Sequence, residues 1–437
     1  MTTETGTRSV RPAARLRGEV AVPGDKSISH RALIFNSLAC GRARVDGFLA
    51  SEDTHSTMDC LRALGATFDE QPDGSVIVEG RGRAGLSEPS AILDCGNSGT
   101  TMRLLAGLVA GLPGLSVLTG DETLRRRPMG RIVHPLNQLG ARVTARAEGT
   151  LPPIVIQGGS ISGGQRLSPP VASAQVKSAI LLAGLAADGP TTVVESASTR
   201  DHTERLLAVM GATFEFEGTA VTITPPEGDL TAVDVHVPGD ISTAAAWIVA
   251  ATVHPDAELL LTGVGINPTR SGILDVLREM GANIELTEER IVGGEPVADL
   301  VVRSAQLHGI EISDPDLIPR MIDELPLAAL AGALAQGETV IRNAGELRVK
   351  ESDRVASTAA ALRAFGVDLD ERDDGLRITG GATLHSASVN SAGDHRLAIL
   401  GAVTGLLAEG ETRVTEADVV AVSYPAFWSD LDRLRQD

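Results

Sequence analysis

The sequence predicts an α/β (α+β) protein of two globular domains, each made of three repeated units around buried helices. The length, 437 residues, exceeds what one ordinary core holds. A helix-ending phrase recurs along the chain at intervals of about 70–85 residues. The turn Val22-Pro23-Gly24-Asp25 returns as Val237-Pro238-Gly239-Asp240 near the middle of the chain.

The recurring phrase has the form Leu-x-x-apolar-Gly. It appears as Leu61 to Gly65, Leu136 to Gly140, Leu207 to Gly211, Leu277 to Gly281 and Leu362 to Gly366. A small or polar pair and alternating apolar residues follow each copy, so the glycine reads as the residue that ends a helix before a strand. A helix over Asp430 to Gln436 would be a sixth copy cut short. Between these copies lies a second phrase: a turn, a polar cap, then a run of Ala, Gly and Leu with almost no charge. Its six copies begin near Ser27, Ser98, Ser173, Ser242, Asp323 and Asp394. A helix that is apolar all round is buried. Each unit therefore holds one buried helix, one amphipathic helix and several short strands.

Three units per domain place the boundaries at the repeated turn. One domain spans 22–237. The other takes 1–21 and 238–437, so the strand at about 10–21 belongs with the second half, and the hinge crossings fall near 22–24 and 237–240. Residues 1–15 read as a short loose arm. Two such globes joined by two crossings would leave a cleft, with buried helix N-termini turned into it as an anion trap.

A hydrophobic share of 43% with 22% charged residues describes a soluble globular chain. Net charge -19 excludes a nucleic-acid polyanion as main partner, and one Tyr with two Trp leave no base-stacking platform. No apolar run is long enough to span a bilayer, so no membrane partner is expected. Cys40, Cys60 and Cys95 are scattered without metal or disulfide spacing, which fits a reducing cytoplasm. Lysine occurs only at Lys26, Lys177 and Lys350, and every other basic position is Arg. A compact ammonium whose pKa shifts readily is the property that separates Lys from Arg.

The motifs follow in chain order. Ser27 reads as the N-cap of the run from Ile28 to Ala39, placing Lys26 and Arg31 at a helix start, where free N–H groups and the dipole favour a phosphate or carboxylate. A capped surface helix would look the same. Gly96-Asn97-Ser98-Gly99-Thr100-Thr101 is a loop whose glycines permit close backbone approach to a ligand oxygen. Arg125-Arg126-Arg127-Pro128 is a basic turn, and Ser173-Ala174-Gln175-Val176-Lys177-Ser178 heads the third buried helix. Arg200 precedes an amphipathic helix, and Asp323-Glu324 head the fifth buried helix. In Lys350-Glu351-Ser352-Asp353-Arg354 the spacing puts Lys350 and Arg354 on one helical face beside Glu351. Asp394-His395-Arg396 opens the sixth buried helix.

In this order and spacing, from Pro23-Gly24-Asp25-Lys26-Ser27 to Ser423-Tyr424-Pro425, the motifs resemble the 5-enolpyruvylshikimate-3-phosphate synthases over nearly the whole chain. The resemblance implies two domains of three βαβαββ units each, an inside-out α/β barrel. It implies transfer of the enolpyruvyl group of phosphoenolpyruvate to the 5-hydroxyl of shikimate 3-phosphate, without metal or organic cofactor, in a monomeric cytoplasmic enzyme. Carried over by motif, Lys26, Ser27, Arg31, Ser173, Ala174, Gln175, Arg200, Asp323 and Lys350 would contact shikimate 3-phosphate. Lys26, Gly99, Arg127, Gln175, Arg354 and Arg396 would hold phosphoenolpyruvate. Asp323 resembles the base for the 5-hydroxyl, and Glu351 with Lys26 resemble the groups that manage the proton on the methylene carbon.

Three positions depart from the family pattern. Val422 stands where many members carry a Lys, Glu346 where an Asn is common, and no Tyr lies beside Arg200. Gly99 is where some members carry Ala and resist glyphosate, so sensitivity is expected here. The sister family, UDP-N-acetylglucosamine 1-carboxyvinyltransferase, typically uses a Cys in the loop before Arg-Pro, whereas Thr123-Leu124-Arg125-Arg126-Arg127-Pro128 has none. A catalytically dead anion-binding scaffold would predict a broken acid–base set, yet Asp323, Glu351 and Lys26 are all present.

Overall fold

In the computed structural model, which describes residues 6–436, the chain divides into two compact units. A central unit takes Gly24–Val237 and Val292–Glu295. A terminal unit takes Met1–Pro23, Pro238–Ile291 and Pro296–Asp437, so far as they are described. Each encloses its own hydrophobic core, and the two cores share no residue.

Six apolar helices form the interiors: α1 (Lys26–Leu38), α2 (Gly99–Ala110) and α3 (Ala174–Gly184) in the central unit, and α4 (Ile241–Val253), α5 (Leu325–Leu334) and α6 (His395–Gly405) in the terminal unit. In α4 every residue from Ile241 to Thr252 is buried, as the uniform apolar pattern requires. Small sheets surround them, giving the inside-out α/β fold. In the first, Val235–His236 runs parallel to Cys40–Asp46, which pairs antiparallel with Val76–Arg81, which pairs antiparallel with Thr67–Glu70. The sheets built on Gly114–Thr119, Thr191–Val194 and Glu338–Ile341 repeat that plan. The strand Arg15–Ala21 pairs in parallel with Ala257–Gly265, Leu16 opposite Ala257.

The five repeat glycines end five amphipathic helices in the left-handed region: Gly65 at φ +105°, Gly140 at +90°, Gly211 and Gly281 at +102° and Gly366 at +95°. A side chain at this helix-terminating position would be strained. The truncated last copy is the helix Phe427–Leu434, followed at once by the strand Arg435–Gln436. It begins before Asp430 because Phe427 stacks on Trp247 at 5.3 Å inside the terminal core. Tyr424 of the Ser-Tyr-Pro motif belongs to the same cluster: its hydroxyl accepts from Trp247 Nε1 at 3.1 Å and donates to Asp430 Oδ2 at 2.7 Å.

Three local expectations need correction. Asp25, not Ser27, caps α1 by accepting from Ile28 N at 2.9 Å, because a carboxylate three residues before that N–H reaches it directly. Arg8–Val10 is a strand paired with Thr412–Thr415, so that part of the expected loose arm is ordered; residues 1–5 lie outside the described residues. Lys350 and Arg354 do not share a helix. The 3-10 turn Gly345–Val349 ends at Lys350, and a new helix, Arg354–Ala364, starts after Asp353, whose side chain accepts from Ala356 N at 3.1 Å.

Helices α2 and α3 meet backbone to backbone at Gly107, where an added Cβ would lie 2.2 Å from Ala179 O and 2.6 Å from Ala179 Cα. A Gly→Ala change inside a helix ordinarily stabilises by about 1 kcal/mol. Here overpacking reverses the sign. Gly107→Ala is expected to lower stability by about 1–3 kcal/mol, read as a fall in thermal midpoint. Gly228→Ala, which would meet nothing within 4 Å, is the control.

Candidate active site

In the central unit the N-terminal ends of α1, α2 and α3 are tied together by polar side chains. Lys26, the first residue of α1, meets Asp53 Oδ2 at 3.0 Å. Arg31, one turn later, is only 2% exposed. It donates to Ser27 O at 2.9 Å and to Ser178 Oγ and Thr203 Oγ1 at 2.8 Å each, so it ties α1 to α3 and to the helix His202–Val209. A hydroxyl chain links α1 to α2: His30 Nδ1 lies 2.7 Å from Thr57 Oγ1, Thr57 lies 2.6 Å from Thr101 Oγ1, and Thr101 donates to Ser98 Oγ at 2.7 Å.

The glycine loop and the cradle of α3 come together. Ser98 caps α2 by accepting from Thr101 N at 3.1 Å, with Gly99 as the first helical residue. Arg103 donates to Gln175 Oε1 at 2.5 Å, and Gln175 donates to Thr100 Oγ1 at 2.8 Å. Arg127 donates to Asn97 Oδ1 at 2.7 Å. A Cβ on Gly99 would stand 2.9 Å from Arg103 Nη1 and 3.3 Å from Arg127 Nη1, so glycine is what lets both guanidinium groups approach the loop. Ser173 occupies the N-cap of α3 without a side-chain cap bond, and Ala174 and Gln175 form its first turn, all partly exposed. Arg200 is partly exposed in the loop before His202–Val209.

Lys177 is no ligand-facing cation. It is 2% exposed, 2.9 Å from Glu195 Oε2 and 2.7 Å from Glu204 Oε1. Burial works against its charge, but the two carboxylates hold its pKa above the ordinary lysine value. Burial pushes Glu204 the other way, above the usual carboxylate range, with Lys177 opposing.

The terminal unit gathers the second cluster at the starts of α5, α6 and the helix Arg354–Ala364. Asp323 Oδ1 faces Arg354 Nη1 at 3.0 Å, Lys350 Nζ at 3.6 Å and Arg396 Nε at 4.0 Å. Arg354 is 1% exposed and also donates to Glu351 Oε2 and Asp394 Oδ2, each at 2.7 Å. Burial opposes its charge, yet Glu351, Asp394 and Asp323 raise its pKa above the ordinary arginine value. Burial likewise opposes the charge on Asp394, and Arg354 brings that carboxyl below its usual range. Asp394 also caps α6, accepting from Arg396 N at 3.0 Å.

The sequence motifs thus converge on two clusters, Lys26, Ser27, Arg31, Gly99, Arg127 and Ser173 to Gln175 in one, Asp323, Lys350, Glu351, Arg354 and Arg396 in the other. Among the participants that went unpredicted are Asp53, Arg103, Thr57, Thr203 and the Asp394 carboxylate as a partner of Arg354. Arg103 lies one turn after Gly99 on the same helix face, a signal that spacing alone carried.

His30 is fully buried, and among the described residues its Nε2 has no hydrogen-bond partner. Burial chiefly, with Lys26 and Arg31 assisting and Asp53 opposing, lowers its pKa from 6.5 to about 3. The unfolded chain therefore takes up the proton first. Stability is full above pH 6.5 and falls as pH drops from 6.5 toward 3. The loss reaches on the order of 2 kcal/mol by pH 5. His30→Gln should remove that part of the acid sensitivity, seen as a smaller difference in thermal midpoint between pH 7 and pH 5.

The chain matches the family model described as EPSP synthase (3-phosphoshikimate 1-carboxyvinyltransferase) over residues 10–431. It is 52% identical to the 3-phosphoshikimate 1-carboxyvinyltransferase of Herpetosiphon aurantiacus over 431 residues, covering 98% of this chain and 99% of that one. It is 51% identical to the enzyme of that name from Desulforudis audaxviator over 430 residues, again covering 98% and 99%. The solved EPSP synthase from Acinetobacter baumannii superposes with a TM-score of 0.87 at 40% identity, over 99% of this chain and 98% of that one. The enolpyruvyl transferase NikO from Streptomyces tendae shares the fold at 20% identity and a TM-score of 0.79, over 99% and 98%. With two buried-helix units, the ordered motifs and full-length relatives in agreement, the chain belongs to the EPSP synthase (3-phosphoshikimate 1-carboxyvinyltransferase) family.

Proposed function

We propose that this chain transfers the enolpyruvyl group of phosphoenolpyruvate to the 5-hydroxyl of shikimate 3-phosphate and releases phosphate. The observation that carries the reading is Asp323, a carboxylate within 4.0 Å of Lys350, Arg354 and Arg396 and one guanidinium away from Glu351. Both substrates bring phosphate and carboxylate, which is what such cations recognise.

Asp323 takes the proton from the 5-hydroxyl as its oxygen bonds to C2 of phosphoenolpyruvate, while the methylene carbon gains a proton to become a methyl group. Collapse of the tetrahedral intermediate breaks the C2–O bond to phosphate and removes a methyl proton, restoring the enol ether. Glu351 and Lys26 are the groups assigned to the methyl proton. The substrate's own anions would take over Arg354 and Arg396, loosening their hold on Asp323 and leaving its oxygen to the hydroxyl. Lys26, Gly99, Arg127, Gln175, Arg354 and Arg396 form the donor set, and Ser27, Arg31, Ser173, Ala174, Arg200 and Lys350 complete the acceptor set with Lys26, Gln175 and Asp323. Arg31 supports the acceptor site partly by orienting Ser178 and Thr203, which its guanidinium already holds.

Among the described residues no helix is long and apolar enough to cross a membrane, and the three cysteines are free. The further reading of a monomer working in the cytoplasm rests on the family resemblance.

Phosphate release from phosphoenolpyruvate is expected with shikimate 3-phosphate as acceptor and absent with UDP-N-acetylglucosamine; the reverse result would move the chain to the sister activity. Asp323→Asn should lower kcat by about 100-fold or more. Gly99→Ala would push against Arg103 and Arg127. It is expected to raise KM for phosphoenolpyruvate with little change for shikimate 3-phosphate, and to weaken the competition that glyphosate should show against phosphoenolpyruvate in the parent enzyme. Steady-state kinetics with each substrate varied in turn checks all three.

A further inference from the structure

Glu324 follows Asp323 directly, at the N-cap of α5, and is 0% exposed. The chemistry proposed above leaves it unused. The two neighbouring acids have different surroundings. Asp323 meets Lys350, Arg354 and Arg396. Glu324 accepts a hydrogen bond from Ser242 Oγ, in the first turn of α4, and that Oγ accepts from Arg270 Nη2 at 2.9 Å. The same Arg270 nitrogen binds Asp240 Oδ1 at 2.6 Å, and Asp240 closes the circuit by accepting from Ser242 N at 2.8 Å. All four residues are buried, none more than 4% exposed.

An acid buried this deeply is costly unless it is paired, and Ser242 links this one to Arg270 and Asp240. Hydrophobic residues of the same volume would hold α4 against α5 as well or better, so packing alone gives little reason for four polar side chains here. The network fixes the first turn of α5, and Asp323 is the residue before that turn. It also reaches the cation cluster from the other side: burial opposes the charge on Asp240, but Arg270 and then Arg396 hold its pKa at about 2, and Arg396 is one of the three cations facing Asp323. A proton acceptor misplaced by about 1 Å loses on the order of 100-fold in rate.

We propose that Glu324, anchored through Ser242 to Arg270 and Asp240, is a positioning residue that sets where the Asp323 carboxylate stands among Lys350, Arg354 and Arg396. This inference rests on the reading of Asp323 as the base.

The test compares Glu324→Gln, Ser242→Ala, the double variant and Asp323→Asn, by kcat and KM for both substrates and by the thermal midpoint. Glu324→Gln keeps the shape and an acceptor for Ser242 but replaces the carboxyl with an amide. It should lower kcat about tenfold or more with each KM within about twofold. Ser242→Ala removes the hydroxyl that links Glu324 to Arg270, so it should lower kcat in the same way, again with each KM within about twofold. The double variant should be no slower than the slower single, since both cut one link. A kcat within twofold of the parent in folded Glu324→Gln and Ser242→Ala, or losses that multiply in the double, would overturn the inference. Should Glu324→Gln fail to fold, Ser242→Ala, which removes one hydroxyl, carries the test alone by its kcat. An active Asp323→Asn would overturn the base assignment itself. An inactive Asp323→Asn beside unchanged Glu324 and Ser242 variants would overturn only the positioning role.

Discussion

The terminal unit turns on one buried guanidinium. Arg354 binds carboxylates from three separate stretches of chain, Asp323 before α5, Glu351 in the preceding loop and Asp394 at the head of α6. Removing the guanidinium would strip three carboxylates of their shared cation, the fully buried Asp394 among them, at a cost of several kcal/mol. The three segments are therefore obliged to stay together, and their helix starts come with them. Asp394 shows how tightly this is wound: the same carboxylate that binds Arg354 also caps α6 through the N–H of Arg396. Cap, ion pair and the arginine beside Asp323 cannot be varied independently.

The central unit solves the same problem with milder chemistry. Arg31, buried there, is held by hydroxyls and a carbonyl, and threonines and serines join α1 to α2. Three helix N-termini, each the positive end of a dipole, are linked at one end of each unit. In the terminal unit Asp240, Asp323 with Glu324, and Asp394 stand there; in the central unit the corresponding cap positions are Asp25, Ser98 and Ser173. A hydroxyl-rich end suits the binding of phosphate, which needs donors. An end with paired carboxylates and cations suits the movement of protons. The repeat supplies the scaffold six times, and the capping residues give the two ends different chemistry.

Much of this was legible in the chain because it depends on local chemistry. A run such as Ile241 to Val253 can only be a buried helix, and Gly65, Gly140, Gly211, Gly281 and Gly366 end helices because only glycine takes that backbone conformation without strain. What stayed hidden depends on distance across the fold. Asp53 lies 27 residues from Lys26, and Gln175 lies 72 from Arg103; no local pattern marks either pair. The misplaced cap on α1 and the supposed shared helix of Lys350 and Arg354 have one cause. Both segments offer several polar side chains within a turn of each other, and which one caps is decided by backbone geometry, not by residue type. Asp25 and Asp353 won because each places a carboxylate three residues before an open N–H.

The lysines show where composition stops and burial takes over. A chain that writes nearly every cation as arginine and keeps lysine at Lys26, Lys177 and Lys350 singles out three positions without saying what each does. The side chains of Lys26 and Lys350 remain 20% and 27% exposed, each beside one aspartate, so an anion can compete for them. Lys177 is enclosed between Glu195 and Glu204, and a compact ammonium is what two converging carboxylates need; a planar guanidinium would present its donors in a fixed fork. Scarcity of a residue type is thus a sign of constraint, not of catalysis. Lys177 lies on α3, two residues past Gln175, and its partners flank the loop that carries Arg200. The constraint on the buried lysine and the presentation of the partly exposed arginine are two ends of one piece of packing.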